Sequence, residues 1–330
     1  MIVDINTRII GTGKYRAEGV LTNFDLEKMV DTSDEWITER TGISERRIAS
    51  NDIATSDMAA EAVKSALRMA GKTANDLDMI ICGTVTGDMP LPATAALIQK
   101  KIGATNFCAS FDVSAACAGF IYGLSVADSF IKTGKARTVA VVGAEMLSRF
   151  MDFKDRNTCV LFGDGAGAVI VTGDNSDRGI MSTHLFTDSA FTGALKIPGG
   201  GALHPASAES VASGQHFIQM EGREVFKVAV KNLSDAAETA VRTNGYTVDD
   251  VDVVAAHQAN MRILSAVSKR VKIPLEKFAL NLKYYGNTSS ASIPISLDEA
   301  VRDGKVKDND LVLMIALGGG ISWGSALIKW

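Results

Sequence analysis

The chain alternates short, nearly continuous apolar runs with longer segments that have helical periodicity. Apolar runs that predict buried strands occur at residues 77–87, 137–146 and 309–320. Amphipathic segments that predict helices lie between such runs, for example at residues 56–70 and 221–243. Strands that are apolar along their whole length and alternate with helices are typical of parallel or mixed sheets covered on both faces. The pattern therefore predicts an α/β fold.

The second half of the chain repeats the order of elements of the first half. Residues 245–260 follow the pattern of residues 71–87: a glycine, an acidic turn, a buried strand and a polar loop. Equivalent positions of the two halves lie about 170–175 residues apart, which is too long for a solenoid and fits a duplicated β/α domain. We therefore expect two related halves, residues 1–175 and residues 176–330.

Cys117 lies at the centre of the most informative stretch. Residues 108–113 predict a strand, residues 114–116 are small enough for a sharp turn, and residues 117–132 predict a buried helix that Gly134 ends. Unpaired backbone N–H groups and the helix dipole at such a position favour the thiolate, which is the nucleophilic form. A buried structural cysteine is an equally good interpretation of this stretch taken alone.

Two further polar residues follow predicted strands. His257 comes after the apolar run of the second half, and Asn287 lies in the turn YYGNTSS. Taken singly, a core histidine and a turn asparagine are the better interpretations. Open α/β sheets gather their sites at the carboxyl ends of strands, so Cys117, His257 and Asn287 at equivalent strand ends indicate one site.

Composition narrows the classes of function. The net charge of −4 argues against nonspecific nucleic-acid binding by the whole protein, although a local basic patch for an acidic partner is compatible with it. The four cysteines have no C-x-x-C spacing, so no metal site is expected. No apolar run is long enough to span a bilayer and no signal-peptide pattern is present, so we expect a cytoplasmic protein without a membrane partner.

Six motifs in the chain resemble those of β-ketoacyl-acyl carrier protein synthase III, the initiating condensing enzyme of type II fatty-acid synthesis and a member of the thiolase-fold superfamily. They run in the family's order between Asp31 and Trp330: DTSDEWITERTG, DVSAACAGF, FGDGAGA, HQANMRI, YYGNTSSASIP and LGGGISWGSALIKW. The resemblance implies a five-layer αβαβα fold, a homodimer and a catalytic triad of Cys117, His257 and Asn287. It implies no metal and no cofactor, because acyl-CoA and malonyl-acyl carrier protein are substrates.

The resemblance also implies roles for residues around the triad. The oxyanion hole is expected at the backbone N–H groups of Cys117 and Gly319, and coenzyme A is expected at Trp36, Arg40 and Arg156. The expected contacts of the acyl carrier protein are Gln258, Ala259, Asn260, Met261, Arg262, Lys227, Lys269 and Arg270.

The reaction that the resemblance implies is a decarboxylative Claisen condensation. An acyl-CoA primer acylates Cys117, and malonyl-acyl carrier protein then yields a 3-oxoacyl-acyl carrier protein. The acyl pocket is expected at Leu91 and Leu317, where many family members carry phenylalanine. In the family, the loop that holds Leu91 closes the pocket of the other subunit. Leucine is shorter than phenylalanine, so we expect primers larger than acetyl.

Two other kinds of protein share part of this pattern. A related thiolase-fold acyltransferase, or a ketide synthase of specialised metabolism, would keep the fold and the triad. A non-catalytic subunit of a synthase complex would lack the nucleophile, whereas Cys117, His257 and Asn287 are all present here. The sequence therefore favours an initiating condensing enzyme.

Overall fold

The computed structural model describes residues 5–330, which form two main sheets and three layers of helices. The strands are β1 (Asn6–Arg16), β2 (Gly19–Thr22), β3 (Glu45–Ile48), β4 (Met79–Gly83), β5 (Ala109–Val113), β6 (Thr138–Met146), β7 (Asp164–Asp174), β8 (Gly179–Thr187), β9 (Leu195–Lys196), β10 (Gln219–Met220), β11 (Val253–Ala256), β12 (Leu311–Gly318) and β13 (Ser322–Lys329). The α-helices are α1 (Asn23–Leu26), α2 (Asp34–Thr41), α3 (Thr55–Ala70), α4 (Thr94–Ile102), α5 (Gly119–Lys132), α6 (Arg156–Cys159), α7 (Ala208–Ala212), α8 (Gly222–Thr243), α9 (Met261–Val271), α10 (Leu282–Tyr285) and α11 (Ser292–Arg302).

The two main sheets repeat the same strand order. The first sheet has the order β1-β7-β6-β4-β5, and the second has the order β8-β13-β12-β11. Strands β6, β4 and β5 of the first sheet pair in parallel, as do β12 and β11 of the second, and the strands on the β1 or β8 side are antiparallel. An isolated parallel bridge from Val254 to Phe278 stands where β5 pairs with β4 in the first sheet. The predicted duplication of the fold is confirmed.

The helices cover and separate the sheets. Helices α3 and α4 pack on the outer face of the first sheet, and α8 packs on the outer face of the second sheet with α9 beside it. Helices α5 and α11 lie between the two sheets and contact strands of both. This is the predicted five-layer αβαβα order, and none of the helices between residues 5 and 330 has the length and apolarity needed to cross a membrane.

Burial on both faces explains the apolar runs of the sequence. Every residue of β6 and of β12 is buried, because helices cover these strands from both sides. The central core contains residues of both sheets and of α5 and α11, among them Phe120, Val141 and Met314. Helix α5 is apolar around most of its circumference because it lies inside this core.

The chain crosses from the first sheet to the second between Asp174 and Gly179. The predicted boundary at residue 175 falls in this connection. The division into two domains stays a prediction, since the central core draws side chains from both halves.

Candidate active site

Cys117 lies in a tight turn between β5 and α5. The turn is a 3-10 segment, Ala116–Ala118, so the α-helix proper begins two residues later than the sequence predicts. Ala116, Ser289 and Ile321 surround the thiol and have φ angles of 46°, 51° and 47°, which is uncommon for residues other than glycine. Such conformations persist only where the surrounding structure imposes them, and they cluster at functional sites.

Gly318 lets the end of β12 approach the backbone of Cys117. A Cβ atom at position 318 would lie 2.4 Å from the backbone nitrogen of Cys117, which is a severe clash. The missing side chain therefore brings the Gly318–Gly320 segment against the thiol. The backbone N–H groups of Cys117 and Gly319 favour the ionised sulfur, because both lower the pKa of the Cys117 thiol.

The thiol of Cys117 is protonated in the resting protein. Burial raises its pKa to about 12, and the negative charge of Glu145 acts in the same direction. The Ser289 side chain and the backbone N–H groups of Cys117 and Gly319 lower the pKa but do not offset the desolvation. The N–H groups at the helix start therefore favour the thiolate locally, but burial outweighs them in the free enzyme.

His257 directly follows β11 and is buried. Its backbone N–H donates to the carbonyl of Ile315 at 2.8 Å, and its Nδ1 lies 3.2 Å from the Ser292 hydroxyl. Burial lowers the pKa of His257 to about 4, and a hydrogen bond with the backbone of Ser289 opposes this shift only partly. The ring is therefore neutral at physiological pH.

Asn287 is held by its backbone and by its side-chain oxygen. Its N–H donates to the carbonyl of Leu161 at 2.8 Å, and its carbonyl accepts from the N–H of Gly163 at 2.9 Å. Its Oδ1 accepts from the backbone N–H of Ser289 at 2.9 Å. The amide Nδ2 is therefore the atom that Asn287 can offer to a substrate as a donor.

Two cavities meet at the thiol of Cys117. The first, of about 510 Å³, is lined by Cys117, His257 and Asn287 and extends to Trp36, Arg40 and Arg262. The second, of about 540 Å³, is lined by Cys117, Ser289 and Gly319 at one end. Its other lining residues include Val85, Leu147, Phe162, Leu195, Ile197 and Ile218.

The aromatic ring of Trp36 lies between two guanidinium groups. Cζ of Arg156 is 4.9 Å from the ring centroid, and Cζ of Arg40 is 5.7 Å from it. Arg156 also donates to the backbone carbonyl of Asp31 at 2.7 Å. An aromatic ring with two guanidinium groups suits a planar ligand that carries phosphates.

Basic side chains surround the first cavity. Arg262 and Lys269 are exposed and form no ion pair within residues 5–330, and both line a groove of about 340 Å³ with Met261. Lys227 lies 3.6 Å from Glu224, and Arg270 pairs with Asp235 at 3.1 Å. Ala259, Asn260 and Lys227 line the first cavity, as does Arg223, which the sequence analysis does not identify.

The positions of three further residues bear on their predicted roles. Leu317 lines the first cavity and not the second. Leu91 is 84% exposed and lines neither cavity of the single chain. Gln258 is 1% exposed, and its side chain donates to the carbonyl of Ala279 and accepts from the N–H of Asn281. The side chain of Gln258 therefore braces the loop after β11 and is not part of the surface.

Glu145 and Ser289 are site residues that the sequence analysis does not identify. Glu145 is the penultimate residue of β6, is fully buried, and accepts hydrogen bonds from Thr86 and from the backbone of Val85. Its other oxygen accepts from the Ser289 hydroxyl at 3.1 Å. The sequence feature that could have identified Glu145 is a carboxylate near the end of an otherwise apolar run. Among residues 5–330, no group of three or more His, Cys, Asp and Glu side chains is arranged to hold a metal ion.

Comparisons with known proteins agree with this arrangement. Family models described as 3-oxoacyl-[acyl-carrier-protein] synthase III and as its C-terminal part match residues 111–189 and 241–330. A β-ketoacyl-[acyl-carrier-protein] synthase III of Caldanaerobacter subterraneus is 52% identical over 330 residues, which cover 100% of this chain and 99% of the relative. The protein of the same name from Natranaerobius thermophilus is 49% identical over 328 residues, 98% of this chain and 99% of the relative.

A comparison with solved structures indicates the same family. The crystal structure of 3-oxoacyl-[acyl-carrier-protein] synthase III from Aquifex aeolicus matches with a TM-score of 0.90 and 48% identity, over 98% of this chain and 100% of that chain. The resemblance that the motifs predict is confirmed over the whole length of the chain. The chain therefore belongs to the β-ketoacyl-acyl carrier protein synthase III family, whose members are acyltransferases with the thiolase fold.

Proposed function

We propose that the chain joins an acyl-CoA primer to malonyl-acyl carrier protein by decarboxylative Claisen condensation and so initiates type II fatty-acid synthesis. One observation carries this proposal. The Cys117 thiol stands between two cavities, with the N–H groups of Cys117 and Gly319 directed at it and with His257 and Asn287 in the same cavity. The curated relatives, named as synthase III enzymes, do not favour the alternative of a specialised ketide synthase.

In the first half-reaction the primer acylates Cys117. The coenzyme A arm occupies the first cavity with its adenine at Trp36, and the acyl chain enters the second cavity. The sulfur of Cys117 attacks the thioester carbon, and coenzyme A leaves as a thiolate. The carbonyl oxygen takes up negative charge, which the N–H groups of Cys117 and Gly319 stabilise.

In the second half-reaction malonyl-acyl carrier protein replaces coenzyme A in the first cavity. The Ser292 hydroxyl lies 3.2 Å from Nδ1 of His257, and in the tautomer in which Nδ1 accepts this bond the neutral ring carries its proton on Nε2. His257 and the Nδ2 group of Asn287 both donate to the thioester carbonyl of the malonyl group. They stabilise the enolate that the loss of CO₂ leaves, and the enolate then attacks the acyl carbon on Cys117.

Each of these steps uses groups of the chain and of its substrates. The proposal therefore includes no metal and no redox cofactor. Acyl carrier proteins are substrates of this family, so the cytoplasm is the expected location. A non-catalytic scaffold does not need a thiol at the junction of two cavities.

Mass spectrometry of the intact protein tests the function directly. Exposure to a panel of acyl-CoAs is expected to add one acyl group to each chain. Addition of malonyl-acyl carrier protein should then remove this group, release CO₂ and yield a 3-oxoacyl-acyl carrier protein. Transfer of the acyl group to another acceptor without release of CO₂ would support the related acyltransferase instead.

We expect Arg262→Glu to weaken the reaction with malonyl-acyl carrier protein. Arg262 is exposed beside the first cavity, 5.8 Å from the ring of Phe226, and has no acidic partner within residues 5–330. Reversing its charge opposes an acidic carrier, so KM for the carrier substrate should rise on the order of 10-fold at low salt. The matched control is Arg242→Glu at the other end of α8, about 24 Å along the helix from Phe226. An equal effect of both variants would contradict a local docking site.

The exposed edge of the first sheet supports a homodimer. Strand β5 pairs only with β4, and Phe107, just before it, is 95% exposed. An unpaired edge strand beside a large exposed aromatic residue is unusual for a monomer, because it invites pairing with another chain. A second copy that pairs at β5 provides hydrogen-bond partners for the backbone groups of this edge. Light scattering distinguishes this dimer from a monomer.

Leu91→Phe is expected to shift primer preference toward acetyl-CoA. In the proposed dimer, Leu91 closes the far end of the partner subunit's second cavity, where a leucine leaves more room than phenylalanine. Each methylene of the primer is worth about 1–3 kcal/mol in such a pocket, so the ratio of kcat/KM should change on the order of 10-fold. Competition between acetyl-CoA and longer acyl-CoAs measures that ratio.

Leu203→Phe is the matched control, since Leu203 is also 84% exposed and lines neither cavity. The pocket hypothesis is wrong if the wild type already strongly prefers acetyl-CoA. It is also wrong if Leu91→Phe leaves the ratio unchanged.

A further inference from the structure

Glu145 is a fully buried carboxylate that the proposed reaction leaves without a role. Its Oε2 accepts from the Thr86 hydroxyl, from the Val85 N–H at 3.2 Å and from the Thr84 hydroxyl at 3.3 Å. No lysine or arginine within residues 5–330 forms an ion pair with it. Burying a charge without a cationic partner is costly, and such a cost is typically retained only at functional sites.

The Ser289 hydroxyl connects Glu145 to the nucleophile. It donates to Oε1 of Glu145 at 3.1 Å, and Ser289 lines the second cavity together with Cys117. The Ser289 side chain also lowers the pKa of the Cys117 thiol. Ser289 is fixed in a left-handed conformation with φ of 51°, and its backbone N–H donates to Oδ1 of Asn287 at 2.9 Å. The Ser289 hydroxyl bonds to the carboxylate and lines the same cavity as the sulfur, and it is therefore placed to connect the two groups.

The geometry points to Glu145 as the acceptor of the Cys117 proton, with the Ser289 hydroxyl as the relay. This inference rests on the proposed function. As the sulfur of Cys117 bonds to the thioester carbon, its proton passes to the oxygen of Ser289, and the proton of Ser289 passes to Glu145. The C–S bond to coenzyme A breaks, and coenzyme A leaves as a thiolate with the electron pair and takes a proton from water.

The same route closes the catalytic cycle. The acyl-enzyme holds one proton on Glu145 until the enolate attacks and Cys117 leaves as a thiolate. Glu145 then returns its proton through Ser289 to the sulfur, which restores the resting thiol. Over the cycle one proton is consumed, the one that coenzyme A takes from water, and none is left on the enzyme.

The surroundings of Glu145 suit a proton acceptor. Burial raises the pKa of Glu145 to about 6, and the hydrogen bonds from Thr86, Val85 and Ser289 limit this rise, so the carboxylate is largely ionised at neutral pH. The titratable groups that face it are the thiols of Cys117 and Cys82, and its charge raises the pKa of both. His257, the remaining titratable group at the site, stays neutral because burial lowers its pKa to about 4.

The pH dependence of single-turnover acylation tests the relay. Acylation of the wild type by acyl-CoA should increase with pH through the pKa of Glu145, about 6, and then level off. In Glu145→Gln the amide can form a hydrogen bond with Ser289 but cannot take up a proton. Acylation at neutral pH should fall about 100-fold, and its rate should rise only at high pH, where the thiol itself ionises. Ser289→Ala should behave in the same way, since it keeps the backbone N–H that holds Asn287.

Infrared difference spectra supply a second readout. Acylation of the wild type is expected to produce the band of a protonated carboxyl group, and Glu145→Gln should lack that band. The matched control is Asp164→Asn, because Asp164 is another fully buried carboxyl group, held by Ser148 and the backbone of Ala49, that lines neither cavity. Asp164→Asn should keep the wild-type pH profile and the band.

Two results would overturn the relay. One is a pH profile of Glu145→Gln that matches the wild type. The other is an equal loss of malonyl decarboxylation, which involves no proton of Cys117 and would indicate that Glu145 only maintains the structure. Failure of the wild type itself to acylate would instead refute the proposed function, so the two failures are distinguishable.

Discussion

Cys117→Ser is expected to abolish formation of the acyl-enzyme. A serine hydroxyl is far less acidic and less nucleophilic than a thiol. Burial already disfavours the thiolate at this site, and it disfavours an alkoxide still more. Removing a nucleophile of this kind lowers turnover on the order of 10⁴-fold or more. Mass spectrometry after exposure to acyl-CoA should show no adduct on the variant, and digestion of the acylated wild type should locate the adduct at Cys117.

The other cysteines make this prediction specific. Cys82, Cys108 and Cys159 are buried, and none of them lines either cavity. Burial also raises the pKa of Cys82 well above its ordinary value and that of Cys159 to about 11. Cys108→Ser is the control, because its sulfur only accepts a hydrogen bond from Gln99, which a hydroxyl can replace. An adduct on any of these three residues in the wild type would refute the assignment of the nucleophile.

His257→Ala is expected to separate the two half-reactions. Decarboxylation of malonyl-acyl carrier protein should fall on the order of 100- to 1,000-fold, the usual cost of losing one donor to a developing oxyanion. Self-acylation from acyl-CoA should remain measurable, because the N–H groups of Cys117 and Gly319 do not depend on His257. Release of CO₂ and single-turnover acylation, measured on the same preparation, give the two rates.

Two further variants sharpen this test. Asn287→Asp keeps an oxygen for the Ser289 N–H but replaces the donor Nδ2 with an acceptor, so it should lose decarboxylation as His257→Ala does. His184→Ala removes a half-buried histidine of β8 that lines neither cavity, and it should leave both rates unchanged. A His257→Ala enzyme that acylates poorly and releases CO₂ normally would reverse the roles that we assign.

Local sequence patterns were sufficient to predict the main strands and helices of the fold. The apolar runs at residues 137–146 and 309–320 correspond to β6 and β12, and helix α8 was expected to within one residue of its start. These elements could be predicted because a strand covered on both faces must be apolar throughout, wherever its neighbours come from in the chain. The family motifs then connected Cys117, His257 and Asn287, which line one cavity of the structure.

Other parts of the site could not be predicted from local patterns. Gln258 lies inside a motif expected to contact a partner, yet its side chain is buried against Ala279. Leu317 belongs to a strand that is apolar throughout, and only the packing of β12 decides that it lines the first cavity. Whether a side chain faces a cavity, the core or solvent depends on residues distant in the chain, and local periodicity does not contain that information.

The sequence by itself determined the α/β class and the duplication, which follow from periodicity, and its family motifs identified Cys117, His257 and Asn287. The expectation that Asn287 follows a strand is wrong, because the segment before it is helix α10. Only the tertiary structure decided the protonation state of Cys117. A helix start favours the thiolate locally, but desolvation by both sheets and the charge of Glu145 outweigh it. Glu145 itself meets the nucleophile through Ser289, which lies 144 residues further along the chain. Burial and electrostatic contact arise only when such distant segments pack together, and so they were absent from the sequence pattern.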